Sequence, residues 1–216
     1  MAANLWRSER LVYRAVETDD EAFFTTLNQD PALFAGSSTF LPVPQGKQAG
    51  KGYVEWLQSC LLSAVICLPA PAATADSASG PDNAVVSKPI PIGAINLQSS
   101  PPKMDHHRRS MIGVTLTQPY QGKGYGSEAI KWVLRWGFNY ANLHKIEIGA
   151  FAHNTGAIQL YERLGFVLEA RKRDWLFLNG KYWDLVELGM LEDEWREKFD
   201  QGDAEDAAPG SQYSAL

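Results

Sequence analysis

Gly122, Gly124 and Gly126 stand at alternate positions in "QPYQGKGYGSEAI", residues 118–130, between a strand-like run and a helix-like one. Glycine interrupts regular structure at an entropic cost, so three so close together point to positive φ angles or to a ligand lying against the main chain. A phosphate suits such a loop, because bare N–H groups at a helix N-terminus meet it with the positive end of the helix dipole. Two common phosphate motifs are excluded by spacing. A Walker A loop needs Ser or Thr after its lysine, whereas Lys123 is followed by Gly124. The dinucleotide fingerprint would put glycine or alanine at 127, which is Ser127, and would follow the first strand rather than lie past mid-chain.

Other reactive side chains offer less. Cys60 and Cys67 both sit in the apolar stretch "CLLSAVICL", read as buried, with no histidine near either in sequence, which argues against covalent catalysis. His106 and His107 fall in a polar loop and His144 precedes a strand, positions for solvated or capping roles. No cluster of His, Cys or carboxylates has metal-ligand spacing, so no metal is expected.

The elements around the loop follow from periodicity. "RLVYRAV" (10–16) reads as a strand, and Thr18 with Glu21 three residues on reads as the capped start of a helix that ends before Pro31. A Gly- and Pro-rich loop runs to Gly46, then a helix over 50–62, then strand-like "SAVICL". Residues 69–89 are mostly small residues, proline and serine, and are expected to form a flexible insertion. "IPIGAINLQ" and "SMIGVTLT" are strands, the second feeding the glycine loop. Gly126, Ile130, Val133, Leu134, Gly137, Phe138 and Ala141 recur at helical spacing, so the glycines open a helix. "KIEIGAF" (145–151) is a strand. Asn154 caps a helix with inner face Ala157, Leu160, Tyr161 and Leu164, and Gly165 ends it. "RDWLFL" and "KYWDLVELGML" flank Asn179-Gly180, the dipeptide of a tight hairpin. This order predicts an α/β (α+β) fold, a mixed central sheet flanked by helices with a C-terminal β-hairpin, in a single domain over 1–198 and a disordered acidic tail over 199–216.

Composition narrows the function. A hydrophobic fraction of 45% and seven tryptophans describe a globular chain. A formal charge of −5 argues against a general nucleic-acid binder, which needs a basic face. The N-terminus lacks the apolar core of a signal peptide and no apolar run is long enough to span a bilayer, so a cytoplasmic protein with no membrane partner is expected.

Gln121-Gly122-Lys123-Gly124-Tyr125-Gly126 fits Q/R-x-x-G-x-G/A, and "HNTGAIQLYERLGF" follows about thirty residues later; together these resemble the two motifs of the GNAT superfamily of acetyl-CoA-dependent N-acyltransferases. The resemblance runs from about Arg10 to Trp195, and "GKYWDLVELGMLEDEW" is similar to the branch holding ribosomal-protein N-terminal and spermidine acetyltransferases. It implies the GNAT fold, acetyl-CoA as co-substrate, and direct transfer of acetyl to a primary amine in a ternary complex. The coenzyme-binding residues it implies are Val114, Thr115 and Leu116 along the preceding strand, Gln121 to Gly126 on the pyrophosphate, and Asn154 and Tyr161. Lys123 adds a positive charge at the rim or is simply solvated. Tyr161 is the implied general acid for the departing thiolate, or else part of a buried stripe; Asn154 is a cap, a coenzyme contact, or both.

The general base stays open. The carboxylate that many relatives carry on the strand before the loop is absent near Ser110 and Met111. Glu147 on the next strand is the first candidate, Asp184 the second, and ordered water the third. Asp174, Asp184 and Glu187 either attract a cationic amine or are solvated strand positions, and Trp175 and Trp183 line a pocket or a contact between copies. Monomer and homodimer are both open. A non-catalytic acyl-CoA-binding module is the alternative to an enzyme, and a phosphate- or partner-binding domain without coenzyme A is a further one.

Overall fold

A computed structural model describes residues 4–44, 46–70 and 88–199; the expected insertion and acidic tail fall outside these residues except at their ends. Seven strands form one sheet in the order β1-β2-β3-β4-β5-β7-β6. They are β1 (Val12–Arg14), β2 (Leu62–Leu68), β3 (Ile90–Leu97), β4 (Arg109–Leu116), β5 (Lys145–Phe151), β6 (Val167–Leu178) and β7 (Lys181–Leu191). The helices are α1 (Glu21–Gln29), α2 (Pro31–Ser37), α3 (Lys47–Gln58), α4 (Tyr125–Asn139), α5 (Thr155–Leu164) and α6 (Glu192–Phe199).

Each face of the sheet carries its own core. On one, Trp132, Val133, Leu134 and Phe138 of α4 and Tyr161 and Leu164 of α5 pack over Ile112, Leu116, Ile146, Ile148 and Leu188. On the other, Phe24 and Leu27 of α1 and Val54 and Leu57 of α3 cover Val65, Cys67 and Ala94. A Cβ at Gly137 would stand 2.6 Å from Ile146 Cδ1, so the bare residue is what lets α4 lie this close to β5.

The strand that matters most for the site is β4. It pairs antiparallel with β3 from Gly93↔Leu116 to Leu97↔Ile112. Its other edge pairs parallel with β5 only from Arg109↔Lys145 to Met111↔Glu147. Beyond that point β5 continues alongside β7 as far as Phe151↔Leu185. The two central strands therefore part company after Met111 and Glu147, and among the described residues the edge of β4 that faces β5 has no strand partner over 112–116. Unpaired strand edges are hydrogen-bonding templates.

Several local signals act as expected. Asn154 Oδ1 accepts from the Ala157 amide at 3.2 Å, Gly165 ends α5 at φ +99°, and the Phe166 amide bonds Tyr161 O at 3.1 Å. Asn179 and Gly180 take φ of +50° and +79°, both left-handed, as a two-residue hairpin turn demands. Other expectations need correction. Thr18 is not a helix cap: a short 3₁₀ turn over Thr18–Asp20 leads into α1, and Glu17 and Asp20 form the reciprocal capping box. The stretch after Pro31 is not all loop. Asp30 Oδ1 accepts from the Ala32 and Leu33 amides and Pro31 takes the first helical position, which starts α2. A last helix, α6, also follows β7, with Glu194 accepting from the Leu191 amide at 2.8 Å.

Candidate active site

The glycine loop joins β4 to α4. Gly122 and Gly124 have φ of +70° and +84°, and Gly124 is the residue that opens the helix. A side chain at either would be strained, so glycine suits both positions. Among the described residues, the hydrogen bonds outside helices and strands include none donated by the amides of residues 122–126. A Cβ on Gly122 would meet nothing within 4 Å, so the space beside that residue is open. Gln121 Nε2 donates to Leu116 O at 2.8 Å and braces the loop against the end of β4. The Lys123 ammonium stands 5.7 Å from the Tyr120 ring centroid, at the rim. Gly126 instead lies inside the first helical turn, where a Cβ would make ordinary contact with Leu116 and Leu160. These residues fit a diphosphate: amides that donate no hydrogen bond outside helices and strands, a helix of fifteen residues behind them, and open space at Gly122.

Arg10 is the loop residue that the motif alone does not reveal. Its Nη1 donates to Lys123 O at 3.1 Å, its guanidinium lies 4.8 Å from the Tyr125 ring centroid, and its Nε and amide both reach Glu128. Only the folded chain brings residue 10 to this loop, so no local pattern signals it.

A cleft of about 1190 Å³ runs from the parted edges of β4 and β5 across the sheet to α1, α2 and α3. Its inner end is lined by Gly113, Val114 and Thr115 of β4, Gly149 and Ala150 of β5, and Asn154 and Tyr161. Leu116, the next residue along, turns into the core beneath α4. Tyr161 is buried, and burial pushes its phenol up to about 12. Among the described residues its hydroxyl has no hydrogen-bond partner, while Asn154 meets the cleft and caps α5 at once.

Glu147 is on the sheet face that the cleft covers but lies at the closed end of the wedge, outside the lining. Lys145 Nζ sits 3.4 Å from Glu147 and 2.6 Å from Glu169. Burial lowers the Lys145 pKa, but the Glu169 hydrogen bond and the Glu147 charge outweigh it and hold the lysine above its usual value. Asp184 is likewise engaged, with Arg171 at 2.9 Å and the Asp174 amide at 3.2 Å, and is not in the cleft. The one carboxylate among the described lining residues is Glu187, opposite Gly149 in the β5–β7 register and bound to Lys172 Nζ at 2.7 Å. Strand phase puts Glu147 and Glu187 on one face; only the point where β4 and β5 separate decides which of them reaches the opening.

Trp175 lines the cleft, whereas Trp183 packs against His153 at 5.0 Å between ring centroids. His107 and His144 lie elsewhere, around a separate small recess with Arg109 and Lys145, and His106 packs on the His107 ring at 3.9 Å between centroids. Cys67 is buried and Cys60 half-buried, a correction for the latter; burial raises both thiols, which disfavours the thiolate. No group of three potential metal ligands and no helix long and apolar enough to cross a membrane occur among the described residues.

A family model described as an acetyltransferase (GNAT) domain matches residues 10–167. A spermidine N(1)-acetyltransferase of Vibrio cholerae is 34% identical over 86 residues, 40% of this chain and 50% of that protein, so the match spans about half the relative's length. YokL of Bacillus subtilis, an uncharacterized prophage-derived N-acetyltransferase, is 28% identical over 197 residues, 90% of this chain and 97% of that one. The crystal structure of Vibrio cholerae spermidine N-acetyltransferase with CoA and spermine superposes with a TM-score of 0.68 at 23% identity, over 87% of this chain and 99% of the other, a likeness of fold.

Proposed function

The chain belongs to the GNAT acetyltransferase family, and from that premise we propose that it transfers acetyl from acetyl-CoA to a primary amine by direct attack in a ternary complex. The observation that carries this reading is the course of β4: over 113–115 its edge beyond the β5 pairing lines the cleft together with Tyr161, and the same strand leads on through Leu116 into the loop before α4, whose amides donate no hydrogen bond outside helices and strands among the described residues. In this reading the pyrophosphate rests on residues 122–126, with Gln121 bracing the turn and Lys123 at its edge. The pantetheine arm adds a partial strand beside Val114, Thr115 and Leu116, and Asn154 borders its inner end. Main-chain N–H groups of that edge also polarise the thioester carbonyl.

Tyr161 then serves the leaving group. A phenol near 12 stays protonated, and complete transfer of its proton to a thiolate of ordinary pKa near 8.5 would be uphill by about 5 kcal/mol. Its catalytic share in the proposal is a hydrogen bond donated to the developing thiolate, which strengthens as charge accumulates there. For the acceptor's proton, Glu187 replaces Glu147 as the carboxylate placed to receive it, directly or through water, because Glu187 borders the opening. The reaction needs no metal, and the same reading expects a cytoplasmic enzyme, monomeric or homodimeric.

Incubating the purified chain with acetyl-CoA and a panel of amines, with thiol release and product mass measured together, tests the proposal. Amine-dependent thiol release with a product heavier by one acetyl group is expected. Tight acetyl-CoA binding without any acetylated product would instead favour a non-catalytic acyl-CoA-binding module.

A further inference from the structure

The acceptor end of the cleft differs in kind from its coenzyme end. Its walls are Leu33 and Phe34 of α2, Tyr53 and Trp56 of α3, Met111 on the sheet, and Leu185 with Trp175 from the C-terminal hairpin. At the rim Phe40 and Leu41 are 81% and 79% exposed, and Trp56 and Trp175 are also exposed. Large apolar side chains held open at the mouth of a cleft mark a surface meant to be covered by a ligand. The polar groups between them, Asn96 and Gln98 among them, are neutral. Burial pushes the Tyr53 phenol up to about 12, so it too is uncharged.

Charge is scarce here. Glu187 is the single formal charge among the described lining residues, and Lys172 already offsets it at 2.7 Å. The Lys172 ammonium in turn stands 5.1 Å from the ring centroid of Trp175, so carboxylate, ammonium and indole form one unit on the wall. An entering ammonium finds one anion to share. A ligand carrying several ammonium groups finds no second one among the described lining residues, and each unpaired cation taken out of water costs free energy. Charge complementarity therefore fits one cation on an apolar body.

Resting on the acetyl-transfer reading above, we propose that the acceptor is a small monoamine whose body is aromatic or similarly apolar, and that this cleft discriminates against polyamines. The aromatic walls take the body, and Glu187 takes the ammonium before it gives up its proton. Discrimination lies in the single anion among the described lining residues rather than in size, since the cleft of about 1190 Å³ is roomy enough for either class.

The test uses the full chain with acetyl-CoA and compares kcat/KM for 2-phenylethylamine and tryptamine with that for spermidine and spermine. The aromatic monoamines should lead by roughly tenfold or more. Equal or faster turnover of either polyamine would overturn the proposal while leaving acetyl transfer intact. No thiol release with any of the four amines would overturn the proposal, and whether acetyl transfer itself stands is then read separately from the wider amine panel described above. A second measurement guards against a fortuitous ranking: Phe40→Asp and Leu41→Glu change exposed rim positions that the fold does not depend on. Each should raise the spermidine-to-phenylethylamine ratio roughly fivefold, the effect of one nearby carboxylate. An unchanged ratio in both variants, with turnover retained, would sink the charge argument.

Discussion

The main-chain amide and Nε of Arg10 both donate to the Glu128 carboxylate, at 2.7 and 2.8 Å, across 118 positions of the chain. Ser8 Oγ adds a third donor at 2.6 Å, and Arg10 Nη1 reaches on to Lys123 O. The segment before β1 is thereby fastened to the first turn of α4 and to the glycine loop. Although the pair is half-exposed on the arginine side, Glu128 is only 12% exposed, and its loss strands several donors at once. Glu128→Gln should lower stability by about 1–2 kcal/mol. It should also weaken acetyl-CoA binding more than a surface change elsewhere would; calorimetry and thermal unfolding measured on one preparation check both.

The same pair sets an acid limb. Burial raises the Glu128 pKa, but the donors from Ser8 and Arg10 outweigh it and hold the group below its ordinary value of 4.5. Near that pH the unfolded chain binds more protons than the folded one. The contribution is thus complete above the unfolded value and is lost as pH falls through the folded one. Asp20 works in the same direction, since the Arg14 and Glu17 hydrogen bonds overcome its burial. Denaturant titrations from pH 7 down to about 3 should show stability falling, and Glu128→Gln should shallow the slope; an unaltered slope would mean that Glu128 is not depressed.

Gly122 and Gly124 separate strain from crowding. Both are left-handed, so alanine costs about 1 kcal/mol at each. At Gly122 the added methyl meets open space, whereas at Gly124 it stands 3.2 Å from Arg10 Nη2. Gly124→Ala should therefore disturb the Arg10–Glu128 link as well and show the larger fall in melting temperature. For acetyl-CoA affinity the expected order is narrower, because both variants place a methyl on the surface proposed for the pyrophosphate. A variant pair with unchanged affinity would show that the carrier does not rest on this loop.

How much of this was legible depends on the range of the signal. Asn154, Gly165 and Asn179-Gly180 act through their own backbone within a few residues, and each sits in the structure as its type demands. The glycine loop is legible for the same reason. Helix α2 was also written locally, in Asp30 and Pro31, but the glycines and prolines that follow it read as loop. The wedge was not legible, because it depends on where hydrogen bonding between β4 and β5 stops, a property of the whole sheet. Alternation placed Glu147 on a polar face and was silent on depth, so the choice between Glu147 and Glu187 needed the register. Arg10 had no local signal at all.

Tyr161 yields the sharpest kinetic prediction. If its hydroxyl steadies the departing thiolate, Tyr161→Phe removes one hydrogen bond to a developing charge and leaves the ring in its place beneath Phe166, 6.2 Å between centroids. Turnover should fall roughly ten- to a hundredfold, with acetyl-CoA affinity nearly unchanged. The pH profile carries a second consequence. The phenol stays protonated to about 12, so it contributes no descending limb below that, and kcat/KM should climb between pH 7 and 10 as the amine acceptor loses its proton. A profile that turns down in this range in the parent enzyme but not in Tyr161→Phe would show the tyrosine ionising early. The leaving group would then have to be served by another donor.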